Sequence, residues 1–367
     1  MLPINKPITE TTVVVAMSGG VDSSTVAALM NEAGYKVIGI TLQLYDHGMT
    51  IGKKGACCAG QDIYDAKMVA DKLGIPHYVL DYETRFRDSV IDDFADSYIR
   101  GETPLPCVRC NQSVKFVDLV KISKDLGADA LVTGHYVRRI EGKNGPELHK
   151  GIDEKKDQSY FLFSTNKEQL EYIHFPLGSM TKAETRKHAE RFGLAVADKP
   201  DSQDICFVPE GSYAELVKKL RPNAAISGKI IHVDGYELGT HEGIINYTIG
   251  QRKGLGIAFE VPLYVVRIDP DSNTVFVGPY SSLARKNFYI KEINWIGDSN
   301  WFKDGLEANV KIRSTQRGSH AIISVFKEDW AIVELLSEDN AVTPGQACVM
   351  YDGSRVLGGG WIIRNLE

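Results

Sequence analysis

The feature that most limits how this chain can fold is a junction where an apolar run at residues 12–17 meets Ser-Gly-Gly-Val-Asp-Ser at residues 18–23. A short β-branched run followed by two glycines predicts a buried strand that turns sharply into a helix. The glycines let the backbone approach a ligand, and the helix N-terminus presents unpaired N–H groups to an anion. Ser18 and Ser23 add hydroxyl donors, and the carboxylate of Asp22 suits Mg²⁺ held beside phosphates. The turn therefore predicts a phosphate site, although it lacks the Gly-Lys-Ser/Thr ending of a Walker A motif.

Strands and helices alternate over residues 12–136. The predicted strands are 13–16, 36–44, 77–81 and 130–135, and the predicted helices are 23–31, 62–73, 86–99 and 111–126. This alternation predicts a parallel sheet covered on both faces, with ligands bound at the carboxyl ends of its strands. The glycine turn, residues 42–44 and residues 133–135 fall at such ends, so we expect them to converge on one nucleotide.

The pattern changes after residue 150. A capping box, Thr181 with Glu184, predicts a helix at 181–192, and another helix is predicted at 213–220. Short strands separated by glycine and proline turns follow from about residue 223, including a hairpin at 265–277. Such spacing predicts a small β-barrel near the end of the chain. The predicted fold class is an α/β parallel-sheet nucleotide-binding domain, a small mostly-β central domain and a C-terminal β-barrel, at 1–222, 223–280 and 281–367.

Composition indicates a globular protein rather than a membrane protein. The 367 residues are 43% hydrophobic and 25% charged, and no apolar stretch has the length needed to span a bilayer. The first residues lack the apolar segment of a signal peptide, so we expect a cytoplasmic protein whose six cysteines are mostly reduced. The formal charge of −6 argues against indiscriminate binding of nucleic acid but leaves room for a local basic face.

Two cysteines have the C-x-x-C spacing, Cys107 and Cys110, after a stretch stiffened by prolines. Because the predicted helix starts at residue 111, Cys110 is expected at a helix N-terminus, with Arg109 and Lys115 nearby. Both features lower a thiol pKa and favour the thiolate. Cys206 is distant in sequence and is expected to lie near them in space.

Three interpretations of these cysteines stay open. In the first, Cys206 carries a persulfide that Cys110 attacks. In the second, Cys107, Cys110 and Cys206 hold an iron–sulfur cluster with one iron left open. A structural zinc is the third, and it is disfavoured because no fourth ligand is evident. The vicinal pair Cys57-Cys58 is interpreted as ordinary thiols and Cys348 as a core residue.

The full string Ser-Gly-Gly-Val-Asp-Ser-Ser at residues 18–24 resembles the pyrophosphate loop of the N-type ATP pyrophosphatases. Members of that superfamily have an adenine nucleotide alpha hydrolase-like fold, split ATP between its α- and β-phosphates and adenylate an oxygen of the substrate. Further strings, in order along the chain, resemble one branch of it, the tRNA-specific 2-thiouridylases that modify the wobble uridine. They are Gly101-Glu102-Thr103-Pro104, Cys110-Asn111, Val114-Lys115-Phe116, Thr133-Gly134-His135-Tyr136 and residues 156–162, 202–207, 250–256 and 343–346.

The resemblance implies roles for particular residues. The implied ATP contacts are Ala16, Met17, Ser18, Gly19, Gly20, Val21, Asp22, Ser23, Leu42 and Gly134, with Asp22 as the Mg²⁺ ligand. The implied tRNA contacts are His135, Lys156, Asp157, Gln158, Arg313 and Gln346. Cys110 is implied as the nucleophile and Cys206 as the persulfide carrier. Cys107 departs from the family, which often has Asp at that position, so it is a candidate cluster ligand or target-base contact.

The resemblance also implies a reaction. ATP adenylates the C2 oxygen of the wobble uridine, and cysteine-borne sulfur replaces it, giving 2-thiouridine, AMP and pyrophosphate. The implied partners are the tRNAs for Lys, Glu and Gln and a sulfur-donor relay protein. Two alternatives stay open: a pyrophosphate-loop ligase or amidotransferase for a small molecule, which would not use Cys110 and Cys206, and a non-catalytic RNA-binding module.

Overall fold

A computed structural model describes residues 2–45, 58–201, 205–208, 213–298, 305–327, 329–340 and 342–364, except the side chains of 58 and 59. The chain forms two compact units. The first comprises Met1–Ser89, Cys107–Pro209 and Ser354–Val356, and the second comprises Val90–Pro106, Glu210–Gly353 and Leu357–Glu367. Within the described ranges, no helix is both long and apolar enough to cross a bilayer.

Helices and strands alternate through the first unit, as expected from the sequence. The helices are α1 (Val21–Glu32), α2 (Cys58–Leu73), α3 (Glu83–Phe86), α4 (Asp92–Ile99), α5 (Pro106–Cys110), α6 (Phe116–Asp125), α7 (Lys167–Tyr172), α8 (Lys182–Arg191) and α9 (Tyr213–Leu220), of which α4 and α9 belong to the second unit. The first seven strands are β1 (Thr12–Ala16), β2 (Lys36–Gln43), β3 (His77–Asp81), β4 (Ala130–Val132), β5 (Val137–Gly142), β6 (Gly145–Lys150) and β7 (Ile173–His174).

The first unit is built on a five-stranded parallel sheet in the order β3-β2-β1-β4-β7, which confirms the predicted fold class. Val13 of β1 is level with Val37 of β2 on one side and with Ala130 of β4 on the other. From β1, the strands β2 and β3 follow on one side of the sheet, and β4 and β7 follow on the other side. In such sheets ligands bind outside the carboxyl ends at this reversal of strand order.

The strand β1 forms the centre of this sheet. Val13, Val14 and Val15 are fully buried, because helices cover both faces of a parallel sheet. Their apolar neighbours include Val26 and Ala27 of α1. The β-branched run seen in the sequence is therefore the core strand of the nucleotide-binding fold.

Two helical segments contain one π-helical turn each. Arg87–Ile91 joins α3 to α4, and Asn111–Lys115 joins α5 to α6. The second turn is closed by the N–H of Phe116, which donates to the carbonyl of Asn111 five residues earlier. The sequence prediction that the helix starts at residue 111 is therefore wrong, since α5 already begins at Pro106.

The second unit contains two β structures. The hairpin β10 (Tyr264–Asp269) and β11 (Thr274–Gly278) was predicted, and it pairs on with β8 (Gly228–His232) and β9 (Glu237–His241) in the order β10-β11-β8-β9. Six further strands close into a barrel, since β17 pairs with β12. They are β12 (Arg285–Trp295), β13 (Leu306–Lys311), β14 (Ser319–Lys327), β15 (Trp330–Asp339), β16 (Ala347–Asp352) and β17 (Arg355–Ile362).

The barrel has its own core. Phe288, Ile290 and Val333 are buried in it, and Cys348 is fully buried among them. Buried and more exposed residues alternate along β13, β14 and β15, which is the pattern of a closed antiparallel barrel. The predicted barrel and the predicted core position of Cys348 are both confirmed.

Replacing Gly178 by Ala should destabilise the first unit. A Cβ atom at Gly178 would lie 1.8 Å from the carbonyl oxygen of Val137 in β5, so backbone must move. We expect the midpoint of thermal unfolding to fall by about 5 °C or more. Gly239→Ala is the control, because a Cβ there meets no atom within 4 Å. Equal midpoints for the two variants, measured by differential scanning fluorimetry, would contradict the close packing.

Candidate active site

The glycine turn after β1 forms an open helix N-terminus. Gly19 has a φ of +73°, and a Cβ there would lie 2.0 Å from the carbonyl oxygen of Asp62, so only glycine fits. Gly20 is the N-cap of α1, and no side chain caps this end. The N–H of Ser18 donates to the hydroxyl oxygen of Ser23 at 3.1 Å, which curls the turn around the helix end. An uncapped helix N-terminus in a glycine turn is suited to an anion such as phosphate.

The turn after β4 lies against this helix end. A Cβ atom at Gly134 would lie 2.9 Å from the backbone nitrogen of Ser23 and 3.0 Å from the carbonyl carbon of Asp22. The predicted meeting of the two turns is therefore correct. Gly134 is a close-approach glycine, and any side chain at this position would displace the first turn of α1.

A short chain of hydrogen bonds fixes the start of the glycine turn. Ala16 and Leu42 lie near the carboxyl ends of β1 and β2. The hydroxyl of Thr41 donates to the carbonyl of Met17 at 2.8 Å and lies 2.8 Å from Nε2 of His77. Because the Thr41 proton is used, the His77 nitrogen is the donor of that second bond. Burial lowers the pKa of His77 and keeps its ring neutral.

Asp22 does not point into open solvent. Both of its carboxylate oxygens accept from the ammonium group of Lys182, at 2.7 and 2.8 Å, and one also accepts from the hydroxyl of Tyr136 at 2.7 Å. The same ammonium group lies 2.8 Å from Asp201. A single lysine at the first position of α8 therefore joins the N-terminus of α1 to the residues that lead to Cys206.

A second lysine contacts the glycine turn from the side. Lys199 donates to the carbonyl of Gly19 at 3.0 Å and to Asp62 of α2 at 2.7 Å, and it also pairs with Asp65. Burial opposes the charge of Lys199, but the hydrogen bonds to the two carboxylates outweigh it and raise the pKa. The turn itself contains no lysine, so Lys182 and Lys199 supply ammonium groups that the loop lacks.

The structure brings the three predicted cysteines around Lys115. Cys110 is buried, whereas Cys107 and Cys206 reach the surface although protein atoms surround most of each side chain. Negative charge on any of the three sulfurs would raise the pKa of Lys115, with Cys110 contributing most. Cys206 also hydrogen-bonds with Tyr45. The ammonium group of Lys115 is therefore the common electrostatic neighbour of the candidate sulfur chemistry.

The predicted lowering of the Cys110 pKa is wrong. Burial raises the pKa of Cys110 and of Cys107, and Lys115 only reduces that rise. Desolvation likewise raises the pKa of Cys206 to about 12. Since α5 begins at Pro106, Cys110 also lacks the helix N-terminus that would have stabilised its thiolate. In this structure the thiols are neutral at neutral pH.

A metal-ligating cluster is not evident among the described residues: nowhere in them do three or more His, Cys, Asp or Glu side chains stand ready to hold a metal ion. Both carboxylate oxygens of Asp22 contact Lys182. For Asp22 to be a Mg²⁺ ligand it would have to exchange this lysine for the ion. The roles of Asp22 in a Mg²⁺ site and of Cys107 in a cluster stay predictions.

His135 lies in an apolar pocket directly after Gly134. Its Nδ1 is 2.8 Å from the hydroxyl of Thr133, and its ring makes edge contacts with Phe116 and Phe175. Burial, assisted by the charge of Lys115, lowers the pKa of His135 to about 3. The ring is therefore neutral, and any contact with RNA would use it as a stacking or hydrogen-bonding group.

The other predicted tRNA contacts have partners of their own. Lys156 donates to Asp201 at 2.6 Å. Asp157 accepts from the backbone N–H of Gly151 at 3.1 Å and shapes its own turn, and Gln158 accepts from the N–H of Tyr136 at 2.9 Å. Their roles in binding tRNA stay predictions.

Arg313 and Gln346 lie in the second unit. Arg313 donates to the hydroxyl of Thr343 at 3.1 Å, and Gln346 donates to the carbonyl of Thr103 at 2.9 Å. Residues 202–204 and Cys57, together with the side chain of Cys58, lie outside the described residues.

Sequence reasoning did not assign a role to four residues of this site, namely Tyr45, Lys182, Lys199 and Asp201. The capping box predicted the start of α8 and therefore located Lys182 in the first turn of a helix. Its partners come from elements far apart in sequence, which no local pattern indicates.

A parallel sheet with an open glycine turn and an adjoining thiol cluster defines a nucleotide-binding enzyme of the pyrophosphate-loop class. Residues 11–210 match the family described as "tRNA methyl transferase HUP domain", residues 214–279 its "PRC-barrel domain", and residues 285–362 the "Aminomethyltransferase beta-barrel domain". A tRNA-specific 2-thiouridylase MnmA of Rickettsia bellii is 67% identical, and one of Rickettsia africae is 66% identical. These alignments cover 99% of this chain and 99% and 100% of the relatives. The chain belongs to the family of tRNA-specific 2-thiouridylases.

A more distant likeness is found among solved structures. A 4-thiouridine synthetase in complex with RNA and bound ATP is 17% identical, with a TM-score of 0.36, over 58% of this chain and 50% of the other.

Replacing Gly134 by Ala should weaken nucleotide binding. The new methyl group would press on the backbone nitrogen of Ser23 and displace the first turn of α1, where we expect the phosphates. We expect the dissociation constant for ATP, measured by calorimetry, to rise about tenfold or more. Gly239→Ala, far from any close contact, serves as the control. Unchanged affinity in a folded Gly134→Ala variant would contradict this placement of the phosphates.

The thiol of Cys206 should become reactive only at high pH. Since its pKa is about 12, its thiolate fraction and its alkylation rate should rise about tenfold per pH unit between about pH 7 and 10, without a plateau. Lys115→Met removes the charge that opposes burial and should lower the rate about threefold or more. Lys121→Met, on the exposed face of α6, is the matched control. A plateau near pH 8.5, measured by mass spectrometry of the alkylated peptide, would contradict the raised pKa.

Proposed function

We propose that this chain uses ATP to adenylate the C2 oxygen of the wobble uridine in tRNA and replaces that oxygen with sulfur carried by Cys206. As a member of the tRNA-specific 2-thiouridylases, the chain is a sulfurtransferase that acts on tRNA. The observation that supports the proposal is that two neighbouring residues contact both the glycine turn and the helical segment of the cysteines. Gly134 touches the N-terminus of α1, and the next residue, His135, packs against Phe116, which follows Lys115.

Activation is needed because the oxygen at C2 does not leave on its own. Attack of that oxygen on the α-phosphorus of ATP forms an oxygen–phosphorus bond and expels pyrophosphate. The negative charge on the departing pyrophosphate needs donors that are already in place. The N–H groups of the first turn of α1, the hydroxyls of Ser18 and Ser23, and the ammonium group of Lys182 fit that need.

Sulfur transfer then uses two cysteines. A persulfide sulfur on Cys206 attacks C2 and AMP leaves with the former uridine oxygen. Cys110 gives up its proton to solvent, and its thiolate, stabilised by the ammonium group of Lys115, attacks the Sγ atom of Cys206. This attack breaks the persulfide S–S bond and leaves the outer sulfur on C2. A disulfide between Cys110 and Cys206 is the second product, and an external thiol must reduce it before the next turnover. A sulfur-donor protein supplies the persulfide.

Mg²⁺ bound beside the phosphates would add positive charge at the same place. Asp22 is the carboxylate nearest to the open helix end and is the proposed ligand, in exchange for Lys182. Water must be kept from the adenylated base, because hydroxide would regenerate uridine. The buried rings of Phe116 and Phe175 and the half-buried ring of His135 form an apolar wall beside Lys115 that serves this exclusion.

For tRNA we propose contacts by His135, Lys156, Asp157, Gln158, Arg313 and Gln346. The wobble base must leave its stack to reach a pocket of this kind. Lys156 of this set donates to Asp201, which also contacts Lys182. The tRNAs for Lys, Glu and Gln are the proposed substrates.

Replacing Cys110 or Cys206 by Ser should abolish thiolation, because each variant lacks a sulfur that the transfer needs. The measurement is the 2-thiouridine content of wobble positions, by mass spectrometry of tRNA digests, in cells that depend on the variant. We expect a loss of about 100-fold or more for each variant. Cys348→Ala, in the barrel core, is the control. Normal thiolation in both Ser variants would refute the sulfur role and favour a ligase that acts on a small molecule.

Iron content separates the persulfide route from a cluster on Cys107, Cys110 and Cys206. Protein purified without oxygen should contain less than one iron and one inorganic sulfide per chain if the persulfide route operates. Stoichiometric iron and sulfide that disappear in Cys107→Ser would assign the cluster instead.

A further inference from the structure

We propose that Asp201 is a positioning residue for the sulfur-transfer step, because it ties the segment that carries Cys206 to the glycine turn through Lys182. The proposal rests on the proposed function and deepens it. Asp201 lies five residues before Cys206, and it was not among the site residues predicted from the sequence. Its role follows from its ion pairs.

Three cations hold the carboxylate of Asp201. Oδ1 accepts from Lys182 at 2.8 Å and from Arg186 at 3.1 Å, and Oδ2 accepts from Lys156 at 2.6 Å. The Asp201 side chain is 21% exposed, so these pairs lie partly out of water. Burial alone would raise its pKa, but the hydrogen bonds from the two lysines outweigh it and lower the pKa to about 2. Asp201 is therefore ionised under all physiological conditions.

One ammonium group serves two carboxylates. Lys182 contacts both oxygens of Asp22 in the first turn of α1 and one oxygen of Asp201. Its side chain is 12% exposed and lies over the ring of Tyr136 at 5.7 Å from the centroid. Removing one partner of a partly buried ion pair leaves an uncompensated charge, which is costly. The first turn of α1 and Asp201 are therefore joined through one ammonium group.

The backbone before Asp201 is fixed as well. Arg186 of α8 donates to the carbonyls of Ala197 and Lys199, at 2.5 and 3.0 Å, in addition to Asp201. Lys199 in turn donates to the carbonyl of Gly19. Residues 197–201 are thus held by Arg186 of α8 and by the glycine turn, and Asp201 lies five residues before Cys206.

The position of Cys206 matters most for sulfur transfer, the step that follows adenylation of the uridine. An adenylated uridine reacts with whichever nucleophile reaches C2 first, and a displacement of about 1 Å can cost about 100-fold in rate. If Asp201 loses its charge, Cys206 is no longer held in position beside the target base. Water then competes with the persulfide sulfur for C2. The expected signature is uncoupling, in which pyrophosphate is released but uridine and AMP are recovered in place of 2-thiouridine.

The test is Asp201→Asn, which removes the charge and keeps the shape. Enzyme loaded with persulfide sulfur is mixed with substrate tRNA and ATP in a single turnover, and 2-thiouridine formed is divided by pyrophosphate released. We expect this ratio to fall at least about tenfold relative to the unmodified chain. Asp198→Asn, an exposed carboxylate three residues earlier, is the matched control and should keep the ratio.

An unchanged ratio in folded Asp201→Asn overturns the proposal, because a residue that only stabilised the fold would lower both products together. Should this variant fail to fold, Arg186→Gln carries the test, since it removes one of the three cations and leaves two lysines in place. A ratio lowered about threefold supports the proposal and an unchanged ratio overturns it. If the unmodified chain itself releases no pyrophosphate with tRNA, the proposed function is overturned, and this inference falls with it.

Discussion

The contact between Gly134 and the first turn of α1 is the constraint on which the rest of the site depends. β1 and β4 are neighbours in the sheet, so the turns that follow them emerge side by side. With no side chain at Gly134, its backbone lies directly against Ser23 and closes one wall of the open helix end. The ring of the next residue, His135, packs edge-on against Phe116 in the helical segment that carries Cys110. One turn therefore bounds both the expected phosphate site and the thiol cluster.

Burial and charge act against each other at the cysteines, and burial prevails. The ammonium group of Lys115 lowers the pKa of all three thiols, yet each remains above the ordinary value of a cysteine. A neutral thiol is a weak nucleophile and a poor target for oxidants, so the resting site is chemically quiet. Lys115 becomes important once negative charge forms on sulfur, because a charge in a desolvated site is stable only beside an opposite charge.

Much of the fold and part of the site could be predicted from the sequence. Periodicity indicated the strands β1, β2 and β3 and the helix α8, since these are long or carry a cap. The hairpin of β5 and β6 and the short β7 were not predicted, because they carry weak local signals. The glycine turn and the cysteines were recognisable by residue type and spacing. The π-helical turn at Asn111–Lys115 was not, and it altered both the start of the helix and the environment of Cys110.

The ion pairs were beyond reach for a different reason. Lys182 is 160 residues from Asp22 in sequence, and their contact exists only once α8 packs beside α1. Likewise, the family resemblance implied Asp157 and Gln158 as tRNA contacts, and it gave no sign that they accept hydrogen bonds from the backbone N–H groups of Gly151 and Tyr136. Residue type and spacing along the chain predict the chemistry that a residue can perform. Tertiary packing decides which partner that residue contacts.

A glycine turn without its own lysine must obtain positive charge from other parts of the chain. In this protein the position of those cations links the nucleotide site to the chain that leads to Cys206. Lys182 and Lys199 come from the part of the chain that leads to Cys206, so the nucleotide site is incomplete until that part has folded against α1. A lysine inside the loop would have made phosphate binding independent of the segment that we propose to carry sulfur. Drawing the cations from the chain just before that segment makes the two depend on each other. Activation of an oxygen is useful only if sulfur is in place to replace it, and a shared set of ion pairs is a physical means of meeting that requirement.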